Sequence, residues 1–126
     1  MILLSDVNLD EVFLGKDGKT LKLSFIDMHE GRAIGILKCL SIYSLNYQNC
    51  FDEDDSLVAY VGEVTCKKVD EERASKYLKD SGYSFSCDET FKRELFVVCV
   101  EGGEVMLKVV CGTVYFNDKE LKPSLM

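Results

Sequence analysis

From Leu95 to Val100 the chain carries no charged residue on either alternating face, and Val105 to Val110 repeats the pattern with Lys108 as its one charge. Short apolar runs rich in β-branched residues fit strands covered on both sides. Glu101-Gly102-Gly103-Glu104 joins the two runs. Its glycines accept the positive φ of a tight turn and its glutamates keep that turn in water. The pair predicts a hairpin at the heart of the core.

Upstream, a short acidic lead-in is followed by Glu11 to Leu14 and Thr20 to Ile26, flanking Gly15-Lys16-Asp17-Gly18-Lys19. Leu21, Leu23 and Phe25 alternate with Lys22 and Ser24, so a first hairpin with one buried face is expected. His29-Glu30-Gly31-Arg32 reads as a turn into a long strand over Ala33 to Tyr47, with a bend or bulge near Lys38. After the acidic stretch Asp52-Glu53-Asp54-Asp55, Ser56 to Lys68 sets Val58, Tyr60, Val64 and Cys66 on one parity, a half-buried fourth strand with Gly62 as its weak point.

The helical period occurs once, over Val69 to Ser81. Asp70 is placed to cap it, Glu71 and Glu72 suit its positive end, and Lys76 and Lys79 suit its negative end. Val69, Ala74, Tyr77 and Leu78 form the apolar stripe, and Gly82 provides a left-handed stop. Tyr83 and Phe85 open a short extended segment, and after the central hairpin Gly112 turns the chain into Thr113 to Phe116. The order ββββ-α-βββ predicts a single α+β domain over residues 1–126: about seven strands in a mainly antiparallel, strongly curved sheet, with one helix packed on it.

Composition narrows the function. At 126 residues, 47% hydrophobic and 29% charged, the chain can bury one core unaided. Its N-terminus has no basic leader, and no segment approaches the roughly 20 apolar residues that span a bilayer. A cytoplasmic protein is expected. Six cysteines without C-x-x-C spacing suit reduced thiols rather than zinc ligands or a disulfide framework. A net charge of −7 opposes nucleic acid, and Lys67-Lys68 runs straight into Asp70-Glu71-Glu72.

Catalytic patterns are missing. His29 is the single histidine, with no G-x-S-x-G to pair with it, and the glycines match no phosphate loop. Glu63, Glu101 and Glu104 would make a glycosidase-like pair only if packing set two of them across a cleft. Adjacent acids at 52–55 lack the alternation of a calcium loop, so no metal and no cofactor is assigned. The residues that point outward to a partner are Asp52, Glu53, Asp54 and Asp55, with Tyr47 beside them as an aromatic anchor among Tyr43, Phe51 and Tyr60.

The expectation is a small acidic non-enzymatic binding protein that meets a basic protein, in the way immunity-like proteins neutralise a toxin or nuclease. One alternative is a small-molecule binder or hydrolase with a pocket between sheet and helix, using His29 or a carboxylate. Another is the structural subunit of a homo-oligomer, which would carry an apolar patch closed by symmetry.

Overall fold

The computed structural model describes residues 1–49, 59–80 and 93–122. Its strands are β1 (Ile2–Leu14), β2 (Thr20–Ile26), β3 (Ala33–Asn49), β4 (Ala59–Val69), β5 (Leu95–Glu101), β6 (Val105–Phe116) and β7 (Lys119–Glu120), with helix α1 (Glu71–Asp80) between β4 and β5. All the pairings are antiparallel, in the order β3-β2-β1-β4-β5-β6-β7. An additional ladder between β3 and β6, running from Leu37↔Phe116 to Asn49↔Val105, joins the ends of the series. The expected curved sheet is thus a closed barrel of β1 to β6 with β7 paired to β6.

Closure leaves most strands no unpaired edge and turns their inward side chains onto one axis. Val7, Leu9, Leu21, Leu23, Phe25, Leu37, Cys39, Val61, Val64 and Cys66 meet Phe96, Val98, Val100, Leu107, Val109, Cys111 and Val114 there. Each fully buried valine or leucine contributes about 1.5–3 kcal/mol. The odd residues of β5 point outward, where Val69, Leu95, Val97 and Val110 pack against Ala74 and Leu78 of α1. That double cover explains why Leu95 to Val100 is apolar on both parities.

Several boundaries differ from the sequence reading. The helix begins two residues later, at Glu71, because Val69 still pairs with Leu95 in the β4–β5 ladder. Asp70 is the cap, its carboxylate accepting the Arg73 N–H at 2.9 Å. β1 starts at Ile2 rather than Glu11, since β4 supplies it with a partner from Ile2 to Leu9. Gly112 does not turn the chain: β6 runs through it to Phe116. The turn comes instead at Asn117 and Asp118, both at positive φ (51° and 66°), with β7 after it. The bulge expected near Lys38 lies further on, between Ile42 and Ser44, while Lys38 pairs regularly with Lys22 and Tyr115.

In β4 the residues buried toward the barrel axis are Val61, Val64 and Cys66, not a single parity, with Val69 buried under α1. The alternation slips at Gly62, which faces Asp6 between the pairs Ser5↔Glu63 and Val7↔Val61. A second slip occurs where Ser41 faces Gly112 between Leu40↔Thr113 and Ile42↔Cys111. Asp6 and Ser41 both take positive φ, 51° and 57°. At each point a left-handed residue faces a glycine, and inward parity changes on both strands. The expected stop at Gly82, the segment Tyr83 to Phe85, Cys50, Cys87 and the tail beyond Lys122 lie outside the described residues.

Candidate functional site

The outward positions of β4, β5 and β6 form rows across the barrel. Under the helix lie Val69–Leu95 and Val97–Val110; next come Thr65–Cys99–Lys108; then Glu63 stands directly opposite Glu101. The outward face therefore passes from an apolar strip buried under the helix to a basic and then an acidic row within a few residues of strand. Among the described residues neither Glu63 nor Glu101 joins an ion pair; the pairs present are Arg32–Glu30, Lys38–Asp118 and Lys68–Glu94.

The basic row is held by the helix. Tyr77, half-buried at the edge of the helix-side cluster, has the Lys67 ammonium 5.0 Å and the Lys108 ammonium 4.4 Å from its ring centre. Between them on β5, the half-buried Cys99 thiol is pushed up in pKa, first by burial and then by Glu101, against the opposing pull of Lys108, Lys67 and a Thr65 hydrogen bond. Cys66, Cys39 and Cys111 are buried free thiols in the barrel interior. Burial, followed by the neighbouring Cys111, pushes Cys66 up to about 12. Thiols held protonated in this way behave as small hydrophobes.

The acidic end is built by the β5–β6 turn. Gly102, at φ 81°, and Gly103 bring the turn against β4: a Cβ on Gly103 would lie 2.1 Å from the Tyr60 carbonyl oxygen. That carbonyl accepts the Glu104 N–H at 2.8 Å. The Tyr60 hydroxyl in turn donates to the Asp6 carboxylate, so Asp6, Tyr60 and Glu104 share one corner with Glu63 and Glu101. Val105, next to Glu104, pairs with Asn49 at the end of β3. Tyr47, two residues earlier, is 43% exposed and donates its hydroxyl to the Asn49 amide oxygen at 3.0 Å.

The chain leaves this corner at Asn49 and returns to it at Ala59. Asp52, Glu53, Asp54 and Asp55, the acids singled out in the sequence, lie outside the described residues, as does Phe51. Of that group Tyr47 lies opposite Leu107 near the end of β3, whereas Tyr43 belongs to the helix side, where Arg93 donates to its hydroxyl at 3.1 Å. Of the three carboxylates weighed as a pair in the sequence, Glu63 and Glu101 stand face to face on the β4–β5 ladder and Glu104 lies in the adjoining turn. Asp6 joins them through the Tyr60 hydroxyl, and its only sequence signal is polarity within the N-terminal stretch.

His29 sits exposed in the β2–β3 turn, its backbone N–H donating to the Asp27 carboxylate at 2.9 Å. That carboxylate also accepts the N–H of Glu30 and Arg32, and these backbone donors, Glu30 foremost, lower the Asp27 pKa. Space between sheet and helix is filled by the apolar cluster of Ala74, Leu78, Leu95, Val97 and Val110. An open groove of about 310 Å³ runs instead along the helix, lined by Arg73, Lys76, Tyr77 and Asp80. Among the described residues no group of three or more His, Cys, Asp or Glu gathers to hold a metal ion. No described helix is long and apolar enough to cross a membrane.

A protein-family model, described only as "-like", matches residues 2–118. Among solved structures, an uncharacterized protein from Neisseria gonorrhoeae is similar at 19% identity, with a TM-score of 0.55, over 92% of this chain and 94% of that one. That likeness is one of fold. No curated protein matches the chain.

Proposed function

We propose that this chain, which belongs to the family whose model spans residues 2–118, is a non-enzymatic binding protein that captures a basic protein on its acidic corner, in the manner of immunity-like proteins. The observation that carries the reading is Glu63 facing Glu101 across the β4–β5 ladder. Like charges directly opposite destabilise a sheet, and a cation from a partner relieves them. Asp6, Glu104 and Tyr60 supply further charge and aromatic surface around that pair, and on this reading Tyr47 and the acids Asp52, Glu53, Asp54 and Asp55 extend the surface offered to the partner. Attraction of this kind steers association and sets partner choice more than it raises affinity. The net charge of −7 and the four described free thiols suit work in a reducing cytoplasm.

The test is affinity capture from the native source with wild type and with the double variant Glu63→Lys/Glu101→Lys. Wild type is expected to retain a basic protein that salt releases, and the variant to lose it while keeping its circular dichroism. Equal retention by both overturns the reading.

A second reading rests on the groove along α1. Arg73 and Lys76 beside the Tyr77 ring suit a small anionic molecule. Stabilisation by anionic metabolites that Lys76→Glu abolishes, with Glu63→Lys/Glu101→Lys unaffected, would favour it.

A further inference from the structure

Lys22 stands directly opposite Lys38 across the β2–β3 ladder. Both point outward, since Leu21, Leu23, Leu37 and Cys39 on either side of them fill the barrel axis. The register carries this row onto the neighbouring strands, where Phe13 faces Lys22 and Tyr115 faces Lys38. Two ammonium groups thus stand side by side between two aromatic rings, of which Phe13 is 55% exposed. Like charges directly opposite destabilise a sheet. The compensation within the molecule is slight: Lys38 has Asp118 at 3.5 Å, on a carboxylate that is 88% exposed, and among the described residues Lys22 joins no ion pair.

The same chain carries the opposite charge in the same geometry. Glu63 and Glu101 are also directly opposite on an antiparallel ladder, and they point outward because Val64 and Val100 beside them point in. Facing residues of an antiparallel ladder have Cα atoms about 4.5–5.5 Å apart. The carboxylate pair therefore matches the ammonium pair in number and spacing and opposes it in sign. Around the closed barrel the strands run β1-β2-β3-β6-β5-β4, which puts the β2–β3 pair and the β4–β5 pair on opposite walls. One molecule cannot bring them together, but two can.

We propose that the Lys22–Lys38 pair of one copy of the chain binds the Glu63–Glu101 pair of a second copy, with Phe13 and Tyr115 flanking the ion pairs. All four residues lie on regular stretches of their ladders. At physiological salt the screening length is about 8 Å, so the facing pairs attract at contact while the remaining charge of the two copies is screened. Ion pairs at a surface are individually weak, and the association is accordingly concentration-dependent and reversed by salt. Because the two pairs lie on opposite walls, the contact is heterologous and continues from copy to copy instead of closing at two. It occupies the acidic corner of the proposed function without requiring that a basic partner exist.

Analytical ultracentrifugation at physiological salt, over a concentration series reaching the millimolar range, tests it. The mass of wild type is expected to rise through dimer and beyond, and to return to monomer in 1 M salt, where screening reaches about 3 Å. Lys22→Glu/Lys38→Glu and Glu63→Lys/Glu101→Lys are each expected to stay monomeric, because each faces like charges across the contact. The variant carrying all four changes keeps the net charge of −7 and is expected to associate again as wild type does. Unchanged circular dichroism shows for each variant that the barrel is intact. A monomeric wild type, a double variant that associates as wild type does, or a fourfold variant that stays monomeric would each overturn the inference. So would capture of a foreign acidic protein through Lys22 and Lys38 by a wild type that does not self-associate. These masses are read without any partner, and Lys22→Glu/Lys38→Glu leaves the acidic corner unaltered, so failure here is distinguishable from failure of the capture reading.

Discussion

Asp6, at φ 51°, stands across the β1–β4 ladder from Gly62, and at that point both strands change the parity that faces the barrel axis. Ser41 and Gly112 repeat the arrangement across the β3–β6 ladder. Bulged or left-handed residues sharpen the twist of a strand, and a six-stranded barrel needs tight coiling to close. The facing glycine makes room for the displaced partner.

The two glycines are not equivalent, which gives a graded test. A Cβ on Gly62 would lie 2.7 Å from the carbonyl oxygen of Gly102, a backbone atom that cannot swing away. On Gly112 it would meet the Cβ of Ser41 at 3.1 Å, a tight contact relieved by a shift of a few tenths of an ångström, and the end of the Arg93 side chain at 3.3 Å, which can swing away. Gly62→Ala is expected to cost about 3 kcal/mol and Gly112→Ala about 1 kcal/mol. Urea denaturation checks the order.

Glu63 and Glu101 predict the opposite sign. Glu63→Gln removes a cross-strand repulsion and is expected to raise stability by about 0.5 kcal/mol. The gain should shrink as salt screens the surface. A loss of stability on this change, measured in the same denaturation series, would mean that the carboxylate has a stabilising partner.

Tyr60 carries a pH signature. Its hydrogen bond to Asp6, then burial and the charge of that carboxylate, raise the phenol pKa above 10.0. A group whose pKa rises on folding contributes stability in full below its unfolded value and loses it as pH climbs through the folded value. The contribution of Tyr60 is thus intact up to about pH 10 and disappears above it. Ultraviolet titration should show a late-ionising tyrosine that Tyr60→Phe removes and Asp6→Asn shifts to lower pH. At the acid limb the sign reverses: Asp27, held below 3.8 by backbone donors, contributes above that value and loses its effect as pH falls through its folded pKa.

Val98 tests the barrel interior. It is fully buried, paired with Cys66 and Val109 on inward positions. Val98→Ala should cost about 2 kcal/mol through the void it leaves. Val98→Asp strands an unpaired charge in an apolar core and should yield no soluble folded protein. Native-like exchange protection in the aspartate variant would place the strand at the surface.

The sequence alone determined the local features: the paired apolar runs at 95–100 and 105–110, the capped amphipathic helix behind Asp70, and the hairpin around Gly18. These follow from periods of two and 3.6 residues and from turn chemistry, which act over a few neighbours. Tertiary structure decided that Leu37 to Asn49 pairs with Val105 to Phe116 to close a barrel, that β1 begins at Ile2, and that Glu63 faces Glu101. Register between distant strands is set by which inward sets fill one interior together, and a change of inward parity at Asp6 or Ser41 moves the residues that follow it to the other face without shifting the pairing. Alternation within a strand cannot reveal such a change, because the neighbour that stabilises it lies dozens of residues away.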